Sequence, residues 1–399
     1  MTSVSALPPA TPPVGEPDVT RGLRLRPAVA AAVLFTAARL AGLTFVVLAA
    51  RVHGSHPLAL LGRSWDSRWY LRIAAHGYGL VEHPVPGVVH NDLAFFPLYP
   101  ALIRAVRLLS PLGGGASALV VAWLAAAVAA GGIYAVGARL HGPAVGTVLA
   151  VLWGILPHSV VLSMGYSEPV LTACAAWSLY AVLTGNWVRA GALAALAGLS
   201  RPNGFAAALA VLAAAAATVR TTRRRLSRGR VPRGLWAGAA LAPLGWAGYV
   251  LWAGRRTGDT LHGYLRVQRM WGSRFDFGLG ALRFVKHLLL AREAFLFFGA
   301  LVLVAAALLL FTLLVLDRAP LPLLVYTGVL LAVACGGSGF FQCKPRFLLP
   351  AFPLLLPLAR SLVSTAKARP WHAAAVAGAL TGLSFAYGAY LVVITRTPL

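Results

Sequence analysis

Ten carboxylates stand among 399 residues, so the few places where an acid meets other polar groups are conspicuous. One is Ser64-Trp65-Asp66-Ser67-Arg68-Trp69-Tyr70-Leu71-Arg72-Ile73-Ala74-Ala75-His76-Gly77-Tyr78. It reads as a short amphipathic helix closed by Gly77. Trp65, Trp69 and Ile73 recur every four residues on one stripe, and Arg68 and Arg72 share another. Tryptophan and tyrosine favour the headgroup layer, so the helix is expected to lie flat in a membrane interface. Ser64 is the expected N-cap. Asp66 falls in the first turn, where the helix dipole favours an ionised carboxylate. A chemical role for Asp66 and a purely structural one at the helix start are both open.

Further polar groups cluster in turns between apolar runs. Asn91-Asp92-Leu93-Ala94-Phe95-Phe96-Pro97-Leu98-Tyr99-Pro100 reads as a rigid, non-helical return toward the membrane with an aromatic anchor. Three short turns carry Tyr166-Ser167-Glu168, Arg201-Pro202-Asn203-Gly204 and Gln342-Cys343-Lys344-Pro345-Arg346-Phe347. Each charged group there is a ligand contact, a snorkelling anchor or half of a structural ion pair. Half of the ten histidines lie in or beside the first loop, yet no His-Glu-x-x-His or Cys-x-x-Cys spacing supports a metal centre. Three cysteines give no disulfide framework.

The elements that must position these groups are membrane spans. Hydrophobic residues make up 59 % of the chain and charged residues 11 %, with a mean hydropathy of +0.76. Soluble proteins carry about 25 % charged residues. Soluble enzymes, disordered proteins and nucleic-acid binders are thereby excluded. The net charge of +25 reflects the scarcity of acids, and no nucleic-acid partner is implied. Residues 1–26 are expected to form a disordered cytoplasmic tail, and 27–399 a single transmembrane domain. Apolar runs at 28–50, 116–138, 143–162, 166–184, 188–200, 203–219, 234–253, 293–316, 320–337, 347–362 and 371–393 give about eleven helical spans.

With the amino terminus in the cytoplasm, alternation puts the arginine-rich loop 220–233 on the cytoplasmic side, as the positive-inside rule requires. The long loops 51–115 and 254–292 then lie outside, together with the short turns at 163–168, 200–203 and 338–346. Seven acids fall on that outer face. Exclusion of carboxylates from the membrane centre, where each costs about 2.5–3.5 kcal/mol, does not explain a one-sided distribution, which points to chemistry at the outer surface.

The order of these segments resembles the PIG-V family, the second mannosyltransferase of glycosylphosphatidylinositol-anchor synthesis, which has relatives in actinomycetes. The likeness rests on Trp65-Asp66 leading to Ile73-Ala74-x-x-Gly77-Tyr78, then Ala94-Phe95-Phe96-Pro97-Leu98-Tyr99-Pro100. It continues with Tyr166-Ser167-Glu168, Arg201-Pro202-Asn203-Gly204, Gln268…Trp271-Gly272 and Arg346-Phe347, over roughly residues 60–350. The resemblance implies an all-α, C-type glycosyltransferase fold in the plasma membrane, with its site on the extracytoplasmic face. It implies inverting transfer of mannose from a polyprenyl-phosphate-mannose donor to a glycolipid or glycan acceptor; no cofactor is expected and no metal ligands are assigned. Asp66 would accept the acceptor proton. Arg72, Arg201, Lys344 and Arg346 would receive the phosphate, and Asp92 and Glu168 would bind sugar hydroxyls or hold those arginines. Trp65, Tyr166, Asn203, Gln268 and Trp271 complete the implied substrate-binding set. The basic, aromatic stretch 264–277 suits an anionic lipid, a stacked sugar or a ligand-free interfacial helix. Pro202 replaces the family's serine, so no hydroxyl role carries over there. Two other readings stay open: a transporter or flippase of a lipid-linked or anionic substrate, and a non-catalytic scaffold in envelope assembly.

Overall fold

The computed structural model describes residues 19–84, 89–224, 231–290 and 295–395. Residues 1–18 of the expected tail, Arg225, Arg228 and Arg230 of the basic loop, and Glu293 lie outside the described residues. The fold is all-helical and membrane-spanning in character. Helix α1 (Val19–Val52) starts inside the segment expected as a tail. The first loop holds α2 (Pro57–Arg63), α3 (Asp66–His76), an antiparallel pair of strands, β1 (Val81–Glu82) and β2 (His90–Asn91), and α4 (Leu98–Leu109). A central block follows: α5 (Gly114–His141), α6 (Pro143–Gly154), α7 (Glu168–Leu183), α8 (Trp187–Gly198), α9 (Phe205–Arg224), α10 (Arg233–Leu241) and α11 (Leu244–Arg256). The second loop contains α12 (Gly263–Met270), β3 (Arg274–Phe275) and α13 (Leu279–Leu290). The chain ends with α14 (Phe295–Leu316), α15 (Leu321–Gly336), β4 (Gly337–Ser338), α16 (Lys344–Phe347), α17 (Leu356–Ala368) and α18 (Pro370–Ala389). Strand β3 pairs antiparallel with β4, tying the second loop to the turn after α15.

Each expected span has a helical counterpart, but not each is a full crossing. Among the described residues six helical segments are long and apolar enough to cross a membrane, or seven if the bent pair Phe341–Phe347 and Phe352–Ala368 counts as one. That pair turns by 79°. Helices α6, α7, α8 and α15 are apolar but shorter. The expected span 143–162 is corrected most: α6 stops at Gly154 and a 3-10 turn runs over Ser159–Ser163. Pro157 lies in the break, where it can neither donate a backbone hydrogen bond nor continue a helix. Arg39 of α1 closes the break. Its Nη1 donates to the Gly154 carbonyl at 2.9 Å and to Ser159 Oγ at 2.8 Å, and its Nη2 donates to Ser163 Oγ at 2.6 Å. A carbonyl freed by a broken helix must find such a donor where water is absent.

The centre is built from small side chains. Ala129, Ala176, Ala190, Ala194, Ala206 and Ala207 are fully buried along α5, α7, α8 and α9. A Cβ on Gly191 would stand 2.1 Å from the Gly238 carbonyl oxygen, so α8 and α10 meet backbone to backbone. Close approach of this kind supplies the dispersion contacts that hold helices together in lipid, where apolar burial alone does not discriminate.

Candidate active site

Four turns that are distant in sequence converge on one chain of charges. Glu168, the first residue of α7, is fully buried. Its Oε1 forms ion pairs with Arg201 Nη1 at 2.7 Å and Arg346 Nε at 3.2 Å. Arg346 Nη2 reaches Asp66 Oδ2 at 2.9 Å. The guanidinium of Arg346 also lies over the Tyr166 ring at 5.0 Å and the Phe347 ring at 5.1 Å. Two acids and two arginines sum to zero charge, which is what permits their burial. The exposures are unequal. The side chains of Glu168, Arg346 and Arg201 are 1 %, 6 % and 8 % exposed, whereas that of Asp66 is 24 % exposed. Asp66 is therefore the open end of the chain of charges.

Neutral groups fix its sides. Asp66 and Tyr70 stand one helical turn apart on α3 and face the same way. The Tyr70 hydroxyl lies 2.7 Å from Ser167 Oγ, which also accepts from Arg201 Nη1 at 3.2 Å. Burial pushes the Tyr70 phenol up to about 12, so it is protonated and able to donate at neutral pH. Thus every residue of Tyr166-Ser167-Glu168 meets the network: a ring under Arg346, a hydroxyl bridging Tyr70 and Arg201, and a carboxylate between the arginines.

Local backbone places these groups. A Cβ on Gly204 would stand 2.0 Å from the Ala197 carbonyl oxygen, so the turn after α8 closes only with glycine there, and Arg201 is set by it. Trp65 and Phe340 both have positive φ, 47° and 42°. Each stands just before a site segment, and each such residue costs about 1–2 kcal/mol of backbone strain. Ser64 is not the cap of α3. The helix begins at Asp66, with Trp65 in the cap position and no side-chain cap bond. The strained φ at Trp65 turns the chain sharply enough for Asp66 to face Arg346.

The remaining sequence candidates divide clearly. Asn203 adjoins the network, its Nδ2 donating to the Phe347 carbonyl at 3.5 Å. Trp65 packs half-buried on the main core beside Asp66. Arg72 instead pairs with Glu82 at the surface. Asp92 Oδ2 accepts from the backbone of Gly79 and Leu80, at 2.8 Å each, and so holds the loop after α3. Lys344 Nζ donates to the Ala334 and Gly337 carbonyls and caps the end of α15. Gln268 donates to the Tyr264 hydroxyl at 2.7 Å. Trp271 donates to the Asn91 carbonyl at 3.0 Å and stacks on His90 with ring centroids 4.0 Å apart. None of these five touches the ion chain. Tyr70 and Ser167 were not singled out in the sequence, although the four-residue step from Asp66 and the place beside Glu168 were visible there. Among the described residues no group of three His, Cys, Asp or Glu side chains is arranged to hold a metal.

No family model matches the sequence. No curated protein matches it either. Among solved structures the chain is similar to the oligosaccharyltransferase of the archaeon Archaeoglobus fulgidus in complex with zinc and sulfate. The identity is 15 % over 89 % of this chain and 54 % of that one, with a TM-score of 0.46. It is also similar to the same archaeal enzyme in complex with an inhibitory peptide and a dolichol-phosphate, at 15 % identity over 90 % and 56 %, TM-score 0.44. The chain spans about half the length of these structures.

Proposed function

We propose that this chain is a membrane glycosyltransferase of the C-type fold. It transfers mannose from a polyprenyl-phosphate-mannose donor to a hydroxyl of a glycolipid or glycan acceptor, on the extracytoplasmic face of the plasma membrane. The observation that carries this reading is the Arg201–Glu168–Arg346–Asp66 chain, buried at one end and open at Asp66. An open carboxylate beside a buried guanidinium supplies the two things the reaction needs. The acceptor oxygen attacks the anomeric carbon and forms the new C–O bond. The bond from that carbon to phosphate oxygen breaks, and its electron pair leaves with the lipid phosphate. The acceptor proton passes to Asp66. Arg346 neutralises the charge growing on the phosphate, a charge-assisted contact of about 1.5–3 kcal/mol.

The transporter reading looks for an ionisable group within the membrane that awaits a substrate. Among the described residues Arg39 is the main charged group inside a long apolar span; both of its terminal nitrogens already serve the break after α6, and its Nε is buried without a partner. That supports the enzyme over the carrier. The test is mannose transfer from polyprenyl-phosphate-mannose by the purified full chain and by Asp66→Asn. The expected loss in the variant is about a hundredfold or more. Equal transfer by both proteins would refute the mechanism. No transfer by the native chain from any polyprenyl-phosphate sugar would refute the function.

A further inference from the structure

The way Arg346 is engaged bears on how a donor enters. A guanidinium has five N–H donors in a planar fork, and it grips phosphate best with two parallel bonds from one edge. In Arg346 the Nε atom lies 3.2 Å from Glu168 Oε1 as an ion pair without hydrogen-bond geometry. On the outer edge Nη2 is held by Asp66, while Nη1 is buried and makes no hydrogen bond. Arg346 is 5 % exposed, so this idle donor is not served by bulk water. Asp66 is also the exposed end of the ion chain. A phosphate arriving from that end meets a guanidinium edge already shared with a carboxylate. A two-bond grip on that edge brings the phosphate against Asp66, whose like charge opposes it, while Glu168 pairs with the guanidinium from behind.

We propose that Arg346 is a shared ligand, holding Asp66 at rest and exchanging it for the donor's lipid phosphate, so that phosphate and carboxylate compete for one guanidinium. The inference deepens the transfer reading and rests on it for the identity of the anion. Two consequences follow. The donor binds before the acceptor, because Asp66 is masked until phosphate releases it. Asp66 also has opposite effects on the two halves of the cycle, helping the proton transfer and opposing phosphate binding.

The test is direct binding of farnesyl phosphate to the full chain in detergent, by calorimetry, with inorganic phosphate and farnesol as companion probes. Asp66→Asn, which loses the charge at a partly exposed position, is expected to bind farnesyl phosphate about tenfold tighter than the native chain, the order of one charge-assisted contact no longer contested. Asp66→Ala guards against a special effect of the amide and moves the same way. Arg346→Gln weakens binding by at least about tenfold. Farnesol binds native chain and Asp66→Asn alike. Inorganic phosphate shows the same gain in Asp66→Asn from a weaker starting point. Inorganic phosphate binding as tightly as farnesyl phosphate would overturn the lipid headgroup as the ligand. Unchanged or weaker farnesyl phosphate binding in both Asp66 variants would overturn the competition, even if the native chain transfers sugar. Tighter binding in them supports it even if no transfer is found.

Discussion

Replacing Glu168 with Gln keeps the shape of the side chain and removes the charge that two arginines share. Arg346 retains Asp66 at 2.9 Å. Arg201 retains only the neutral Ser167 hydroxyl at 3.2 Å, and its side chain is 8 % exposed. One guanidinium is thus left buried without an acid in contact. Breaking a buried ion pair from one side costs about 3–5 kcal/mol. The remaining hydroxyl and the intact Asp66–Arg346 pair place Glu168→Gln near the lower bound, about 3 kcal/mol. Arg201→Gln costs less, about 2 kcal/mol, because Glu168 keeps Arg346 at 3.2 Å. The double variant removes the stranded charge together with its partner, so it should be more stable than the sum of the singles by about 2 kcal/mol. Equilibrium unfolding in mixed dodecyl maltoside–SDS micelles measures all four proteins. Glu168→Gln within about 0.5 kcal/mol of the native chain, or strict additivity, would refute the view that the network is a buried and mutually dependent ion chain.

Other expectations are equally specific. Lys344→Met removes the ammonium from the Ala334 and Gly337 carbonyls, so stability should fall by about 1–3 kcal/mol. Farnesyl phosphate affinity should stay within about twofold, since Lys344 does not meet the ion chain; a larger loss in calorimetry would place it on the phosphate after all. Gly204→Ala forces a methyl toward the Ala197 carbonyl, and thermal stability in detergent should drop by about 2 kcal/mol or more. Phe340→Gly relieves a left-handed backbone under a ring that is 39 % exposed, and should leave stability unchanged or raise it by up to about 1 kcal/mol; a clear loss would show that the ring's packing outweighs the strain.

Some features of this protein follow from composition and pattern alone. A chain with 11 % charged residues must hide its backbone in apolar helices, and hydropathy marks where helices lie, though not which of them are long enough to cross. Glu168, Arg201 and Arg346 were visible because charges flanking apolar runs are few. Alternation of the expected spans put their turns and Asp66 on one side, and in the structure these four side chains form one chain of ion pairs. The sequence could not say which charges meet. Arg346 and Lys344 are two residues apart and equally basic, yet one closes the ion chain and the other caps α15. Asp92 and Asp66 are both acids of the first loop, yet one is consumed by the backbone of Gly79 and Leu80. Periodicity marks the face of a helix but not the break after Gly154, the left-handed turn at Trp65 or the close approach at Gly204. Those depend on backbone contacts between segments far apart in the chain. Pairing is a property of distance in space, and here the tertiary packing of short helices, rather than any local spacing, decides it.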